Sequence, residues 1–230
     1  MPIIYAATTD SFLQSAASTT WSSERDAEQA QAVADPTLKL LPAAASVFRF
    51  SGRGADIYRV HRTFFHFDTS SITATVSAAG LDLTMPVVSG DSNVIVLASD
   101  AFTGNSDSLQ KVDFNNLDFS TPYSSEVDNS AGGTITITLN AAALAVIKSS
   151  DDFKIAVVNY DYDYNNTPPT SGNNHTTQMK TADDDTDSQK PLINYTLATG
   201  YGNIVNGVAT ANIGKVDGVA TANIEKVIGV

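Results

Sequence analysis

The sequence of 230 residues contains no cysteine, which excludes disulfide bridges, thiol nucleophiles and cysteine-ligated zinc sites. Basic residues are also few, because 13 Lys and Arg face 25 Asp and Glu and leave a formal net charge of −12. Such a chain would repel a phosphate backbone or an anionic bilayer, so we expect neither nucleic acid nor membrane as a partner. No apolar run approaches the roughly 18 residues of a membrane-spanning helix. The first ten residues lack the regions of an export signal, so we expect no Sec export if Met1 is the natural start.

The composition favours a folded chain that is mostly β-structure. Hydrophobic residues make up 42% and charged residues only 17% of the sequence, which excludes intrinsic disorder. Only four of the acidic residues are glutamate, and the rest are aspartate, which favours turns over helices. Together with many Thr, Val, Ser, Asn and Gly residues, this predicts strands joined by short turns.

Alternation of apolar side chains predicts the strands. The strongest pattern covers 58–67, where Phe65 and Phe67 lie on one face and Val60, Phe64 and His66 on the other. Further strands are predicted at 3–14, 46–50, 74–85, 93–98, 134–139, 153–159 and 191–197. One short helix is predicted at 141–148, with Asn140 as its N-cap, and 16–45 is predicted as a long connection with one short strand. These elements predict an all-β fold, an antiparallel two-sheet jelly-roll sandwich, as the domain 1–200.

The end of the chain, 201–230, is predicted as a separate repeat tail. The segments 205–215 (VNGVATANIGK) and 216–226 (VDGVATANIEK) form an 11-residue repeat. Asn-Gly and Asp-Gly flanked by valine favour a tight hairpin turn in each repeat. The small side chains offer little to bury, so we expect residues 203–230 to become ordered only against copies of themselves or other proteins of a larger assembly. A disordered tail is the alternative. The predicted assembly residues are Val205, Asn206, Gly207, Val208, Ile213, Val216, Asp217, Gly218, Val219 and Ile224.

Candidate chemistry is sparse. The oxygen-rich segments around 161–163 and 183–187 suggest a structural calcium ion held by Asp161, Asp163, Asp183 and Asp185, with solvated acidic turns as the alternative. We expect no other cofactor and no catalytic residue, since nucleophile, zinc and phosphate-loop motifs are absent from the sequence. His61 and His66 should lie on opposite faces of their strand, and His175 is predicted in a loop. Trp21 and the tyrosines, including Tyr162, suggest a surface that stacks on a sugar, with core or strand-surface packing as the alternative.

Three segments resemble the DNRLRE-type β-sandwich family in order and spacing. They are 62–72 (RTFFHFDTSSI) followed by 76–83 (VSAAGLDL), the opening 5–13 (YAATTDSFL) and the closing 190–195 (KPLINY). The resemblance spans 3–198 and implies a jelly-roll display module of bacterial surface proteins and phage particles, with no shared catalytic residues. The tail is similar to Asn-Gly-Val-Ala repeats at the ends of virion structural proteins of tailed bacteriophages.

These observations lead to three functional hypotheses. The first is a non-enzymatic virion structural protein, a capsid decoration or fibre component that displays the sandwich on the particle surface and is attached or oligomerised through 203–230. The second is a carbohydrate-binding or host-surface adhesion module that recognises surface glycans. The third, a polysaccharide-degrading enzyme, requires carboxylates about 5–10 Å apart.

Overall fold

A computed structural model describes residues 1–33, 43–51, 55–102, 108–170, 174–183 and 186–198, together with 215–216 and 219–220. The chain divides into two compact units, Met1–Thr196 and Leu197–Val230. Among the described residues, none of the helices is long and apolar enough to cross a lipid bilayer.

The first unit is built almost entirely from strands. In chain order they are β1 Ile3–Tyr5, β2 Ser11–Gln14, β3 Ala32–Val33, β4 Ala43–Ser51, β5 Asp56–Asp68, β6 Val76–Met85, β7 Val87–Ser89, β8 Val94–Ser99, β9 Leu117–Pro122, β10 Gly133–Thr138, β11 Asp152–Asn159, β12 Asn174–Met179 and β13 Leu192–Leu197. The unit also contains two α-helices, α1 Trp21–Arg25 and α2 Ala141–Ser149, and a π-helical turn, Tyr160–Tyr164. Two 3-10 turns are formed by Lys111–Asn115 and Asp187–Gln189.

The strands form two sheets. The smaller has the order β1-β13-β6-β10, and the larger has the order β7-β12-β4-β5-β11-β8-β9, with β2 pairing with β3 and β5. In the smaller sheet β1 runs antiparallel to β13, with Ile3 opposite Asn194 and Tyr5 opposite Leu192. The predicted all-β sandwich is thus confirmed.

The core between the sheets receives alternate residues from both. Phe65 and Phe67 of β5 belong to the same apolar cluster as Leu81 and Leu83 of β6, and all four side chains are fully buried. This is the alternation expected when two sheets face each other across a single apolar layer.

A second core lies on the other face of β5. Val60 and Phe64 pack there with Leu97 of β8 and with Phe114 of the 3-10 turn Lys111–Asn115. Partly buried Trp21 from α1 also packs against it. The outer face of the large sheet is therefore covered by helical turns, which explains why the strand predicted at 58–67 carries aromatic residues on both faces.

The helix predicted from local sequence patterns is present in the structure, whereas one predicted loop is a strand. The predicted helix is α2, and the Asn140 side chain caps it by accepting hydrogen bonds from the backbone N–H groups of Ala142 and Ala143. In the predicted connection 16–45, the described part contains the additional helix α1. His175 was predicted in a loop, which is wrong, because it lies in β12, whose polar sequence is held between β4 and β7.

The second unit is described only by one short hairpin. β14, Lys215–Val216, pairs antiparallel with β15, Val219–Ala220, and Val216 lies opposite Val219. This register leaves two residues between the strands, the number that a tight hairpin requires. The predicted assembly residues Val205, Asn206, Gly207, Val208, Ile213, Asp217, Gly218 and Ile224 lie outside the described residues.

Candidate functional site

Two of the aspartates singled out in the sequence, Asp161 and Asp163, lie in the π-helical turn Tyr160–Tyr164. This turn directly follows β11 and begins at Asn159, whose side-chain oxygen accepts a hydrogen bond from the backbone N–H of Tyr162 at 2.9 Å. The Asn165 N–H reaches back to the Tyr160 carbonyl at 3.2 Å, the i to i+5 spacing of a π-turn. Such turns are frequent at functional sites. The wide turn directs Asp161 and Asp163 to different neighbours.

Asp163 points inward and forms a two-point ion pair with Arg62. The Arg62 Nε and Nη2 atoms donate to Asp163 Oδ2 and Oδ1, each at 2.8 Å, and both side chains are 0% exposed. The remaining Arg62 donors reach the backbone carbonyls of Phe114, at 2.9 Å, and Arg25, at 2.5 Å. Both carboxylate oxygens of Asp163 are thus used by a guanidinium group, which makes this residue an anchor for the turn.

Two aromatic rings complete the anchor. The Arg62 guanidinium carbon lies 4.3 Å from the centre of the Phe114 ring, and that of Arg25 lies 3.9 Å from the centre of the Phe119 ring. Such cation–π contacts stabilise a guanidinium charge, and they do so most strongly where the charge is removed from water. The anchor therefore joins β5 to α1, to the 3-10 turn at 111–115, to β9 and to the π-turn.

Asp161 belongs instead to a carboxylate cluster at the surface, formed with Asp91 and Glu126. The backbone N–H of Asn93 donates to Asp161 Oδ2 at 3.1 Å, and the Asn93 side chain donates to Glu126 Oε1 at 2.6 Å. Burial raises the pKa of Asp161, and the negative charges of Asp91 and Glu126 add to this against the lowering effect of the Asn93 N–H. Asp161 is thus the member of the cluster that is held protonated to a higher pH than an ordinary aspartate.

Tyr162 and His175 close the cluster on the side of β12. The Tyr162 hydroxyl donates to Asp91 Oδ2, and the two rings have centroids 4.4 Å apart. Burial and this hydrogen bond raise the pKa of the Tyr162 phenol. The Asp91 N–H donates to His175 Nδ1 at 3.1 Å, so that nitrogen accepts and carries no proton in this arrangement.

Gly90 makes the close approach of this loop to β12 feasible. It has a φ of +66°, and a Cβ at this position would lie 2.6 Å from the Asn174 carbonyl oxygen and 2.8 Å from His175 Nδ1. Any larger residue would therefore be strained and would push the Asp91 loop away from His175.

A shallow groove of about 430 Å³ lies beside the cluster. It is lined by residues 124–128 and 136–140, so that Glu126 belongs both to the groove and to the carboxylate cluster. The groove is lined by both polar and apolar residues, and Asn93 donates hydrogen bonds to two of the carboxylates next to it, Asp161 and Glu126. The contacts of the carboxylate cluster connect four segments of the chain, 91–93, 124–128, 159–162 and 174–175.

The four residues predicted to hold calcium are not brought together by the described part of the chain. Asp161 lies in the surface cluster, Asp163 is paired with Arg62, and Asp183 lies beside Asp10. Asp185 lies outside the described residues. In the described ranges, no group of three or more acidic or histidine side chains is arranged to hold a metal ion.

The aromatic residues suggested for sugar stacking are used internally. The Trp21 indole N–H donates to the Asn166 side chain at 3.1 Å, and its ring packs edge-on against Tyr58. Tyr162 is engaged by Asp91 and His175.

Exposed aromatic area lies elsewhere, on β4. The rings of Phe48 and Phe50 are nearly parallel, with centroids 6.0 Å apart and an angle of 3° between their planes, and Phe50 is 43% exposed. We call this pair the aromatic platform. The exposure of these two rings could not be predicted from the sequence, because the same alternation of apolar residues continues into the buried part of the strand.

The two histidines of β5 lie on opposite faces, as predicted. The His61 ring packs between the rings of Phe12 and Phe48, at centroid distances of 5.2 and 4.9 Å. His66 lies on the other face, where its Nε2 atom is 2.7 Å from Asp152 Oδ1.

A scan of the chain against protein-family models found no match, and no curated protein matches it.

Proposed function

We propose that the protein is a non-enzymatic structural component of a virion, which displays the sandwich and is attached through its C-terminal repeats. The observation that carries this proposal is the division of the chain into a self-contained body, Met1–Thr196, and a separate repeat-bearing unit, Leu197–Val230. The body has two apolar cores of its own. The tail repeats small residues around a hairpin and offers strands that a partner can extend.

The role of the ionisable residues in the body supports a structural function. The Arg62–Asp163 pair and the carboxylate cluster each hold several loops in place through hydrogen bonds. A bacteriophage protein of this kind, resembling the DNRLRE-type sandwich, would be assembled in the host cytoplasm and exposed on the particle as a capsid decoration or a fibre subunit. Its partners would be other virion proteins or further copies of itself, and the strongly negative body would avoid nucleic acid and membranes.

The test is a chain truncated after residue 200, compared with a full-length chain in which residues 201–230 are scrambled. The scrambled tail keeps length and composition but loses the two repeats. We expect both variants to keep the circular dichroism spectrum and unfolding transition of the body, and both to lose incorporation into particles or self-association in sedimentation. Normal assembly of either variant would contradict the proposal, since attachment would then not depend on the repeats.

The aromatic platform favours carbohydrate binding as a second candidate function. Two parallel rings on one strand, with Phe50 exposed, offer an apolar surface of the kind that stacks on the CH groups of a sugar ring. A glycan array probed with the wild type and with the Phe50→Ala variant tests this role. Tyr5→Ala is the matched control, because Tyr5 is exposed to 44% and Phe50 to 43%. Glycan binding that is lost only in the Phe50→Ala variant supports this role. Absence of glycan binding by the wild type contradicts it.

A further inference from the structure

Three unpaired side-chain oxygens belong to two segments that are in hydrogen-bond contact in the body. Thr9 Oγ1, Asp10 Oδ1 and Asp183 Oδ2 are each shielded from solvent and have no hydrogen-bond partner among the described residues. Buried polar atoms are almost always hydrogen-bonded, and a buried carboxylate without compensation is costly. Three such atoms in two neighbouring turns therefore need an explanation.

The two turns meet through Asp10. Its side chain is 0% exposed, and its other oxygen, Oδ2, accepts a hydrogen bond at 2.9 Å from the backbone N–H of Ala182, the residue before Asp183. Burial raises the pKa of Asp10 to about 8, and the negative charge of Asp183 contributes in the same direction. Two carboxyl groups thus lie near each other with one oxygen each left unused.

The Arg62–Asp163 pair shows how this chain compensates a fully buried carboxylate elsewhere. There, two guanidinium nitrogens occupy both oxygens of the aspartate. At Asp10 one oxygen receives an N–H group and the other is open. A cation at the open oxygen would satisfy it and would also remove the repulsion between Asp10 and Asp183.

We propose that Thr9 Oγ1, Asp10 Oδ1 and Asp183 Oδ2 bind a calcium ion, with water completing its coordination. All three donors are oxygens, which hard cations prefer, and they come from irregular turns, which suit the variable geometry of calcium better than the strict octahedron of magnesium. With two carboxylates the affinity should resemble that of weak extracellular sites, with a Kd on the order of 10⁻⁴ M. The ion would fasten the segment before β2 to the connection between β12 and β13. This site is independent of the proposed virion function.

The experiment is a calorimetric titration of the chelator-treated full-length protein with CaCl₂. The variants are Asp10→Asn and Asp183→Asn, and the matched control is Asp151→Asn, which removes the same charge from an exposed position. We expect the wild type and the control to bind one ion, and each of the two site variants to bind at least tenfold more weakly. Thr9→Val keeps both carboxylates and should weaken binding several-fold.

Thermal unfolding gives a second measurement that does not depend on heats of binding. At about 5 mM CaCl₂ the melting temperature of the wild type and the control should rise by roughly 5 °C, and that of the Asp10 and Asp183 variants should rise by at most about half as much. Asp10→Asn keeps the size of the side chain and carries no charge at any pH, so it should fold in the chelated state. The proposal is overturned if the wild type binds no calcium, which would leave Asp10 a neutral acid, or if all four proteins respond to calcium alike.

Discussion

Arg62 and Asp163 are 101 positions apart in the chain, yet each uses two atoms to bind the other inside the protein, where neither side chain is exposed to solvent. The pair joins the central strand β5 to the π-turn. Replacing only one partner leaves a buried charge without compensation, which is a far larger penalty than the net contribution of an intact pair.

For Asp163→Asn we predict a loss of about 3–5 kcal/mol in the free energy of unfolding, since Arg62 would stay charged and buried. The measurement is equilibrium unfolding in urea. Asp161→Asn is the control on the same turn and should change stability by less than about 1 kcal/mol, because Asp161 is half-exposed and repelled by its acidic neighbours. Equal losses in the two variants would mean that the ion pair does not anchor the turn.

Acidification should destabilise the body through His61. Its Nε2 atom is shielded from solvent, and burial together with the positive charge of Arg59 lowers the pKa of His61 to about 3. The unfolded chain takes up this proton near the ordinary value of 6.5, so the stabilisation is complete above that pH and is lost as the pH falls towards 3.

Between pH 7 and pH 5 we predict that His61 contributes a loss of roughly 1–2 kcal/mol in the free energy of unfolding. The variant His61→Leu should lack this part of the pH dependence, and His66→Gln, on the opposite face of β5, should retain it. Urea titrations at the two pH values measure the difference. Identical pH profiles for wild type and His61→Leu would refute this role of His61.

Removal of the α2 cap should weaken the body moderately. Asn140→Ala eliminates the acceptor for the Ala142 and Ala143 N–H groups and the hydrogen bond from Asn140 Nδ2 to the Pro122 carbonyl at 2.7 Å. We predict a loss of about 1–2 kcal/mol in thermal or urea unfolding. Asn140→Asp keeps the acceptor and adds a favourable charge at the helix N-terminus, but it loses the donor to the Pro122 carbonyl, so it should recover only part of the loss.

A comparison of two glycines separates steric crowding from backbone strain. Gly90 and Gly133 both have positive φ angles, but a Cβ at Gly90 would meet the Asn174 carbonyl at 2.6 Å, and one at Gly133 would meet nothing within 4 Å. Gly133→Ala should cost only the conformational penalty of about 1–2 kcal/mol. Gly90→Ala should cost clearly more and should alter the NMR signals of His175. Equal losses would show that the loop can move aside freely.

The sequence allowed the sandwich to be predicted because alternation is a local signal. β6 and α2 lie close to their predicted bounds, since their apolar positions repeat with the period of the element. β12 was not predicted because its Asn, Thr and Gln residues resemble a loop, and only pairing with β4 and β7 makes it a strand. Tertiary context there outweighs local preference.

The candidate sites could not be predicted in full, since they depend on contacts between distant segments. Asp161 and Asp163 were recognised as an oxygen-rich pair. The π-turn, which could not be predicted from the sequence, directs Asp161 to the surface cluster and Asp163 to Arg62. The unpaired oxygens of Asp10 and Asp183 come from opposite ends of the chain. Only a fold that brings these turns together reveals them.

The pairing of β1 with β13 has a practical consequence for protein engineering. Because Ile3 lies opposite Asn194, the start of β1 and the end of β13 emerge side by side from the same border of the small sheet. A protein fused ahead of Met1 would therefore lie next to the end of β13, where the first compact unit ends. Insertion at a turn far from this border would keep the fused protein away from the end of the unit.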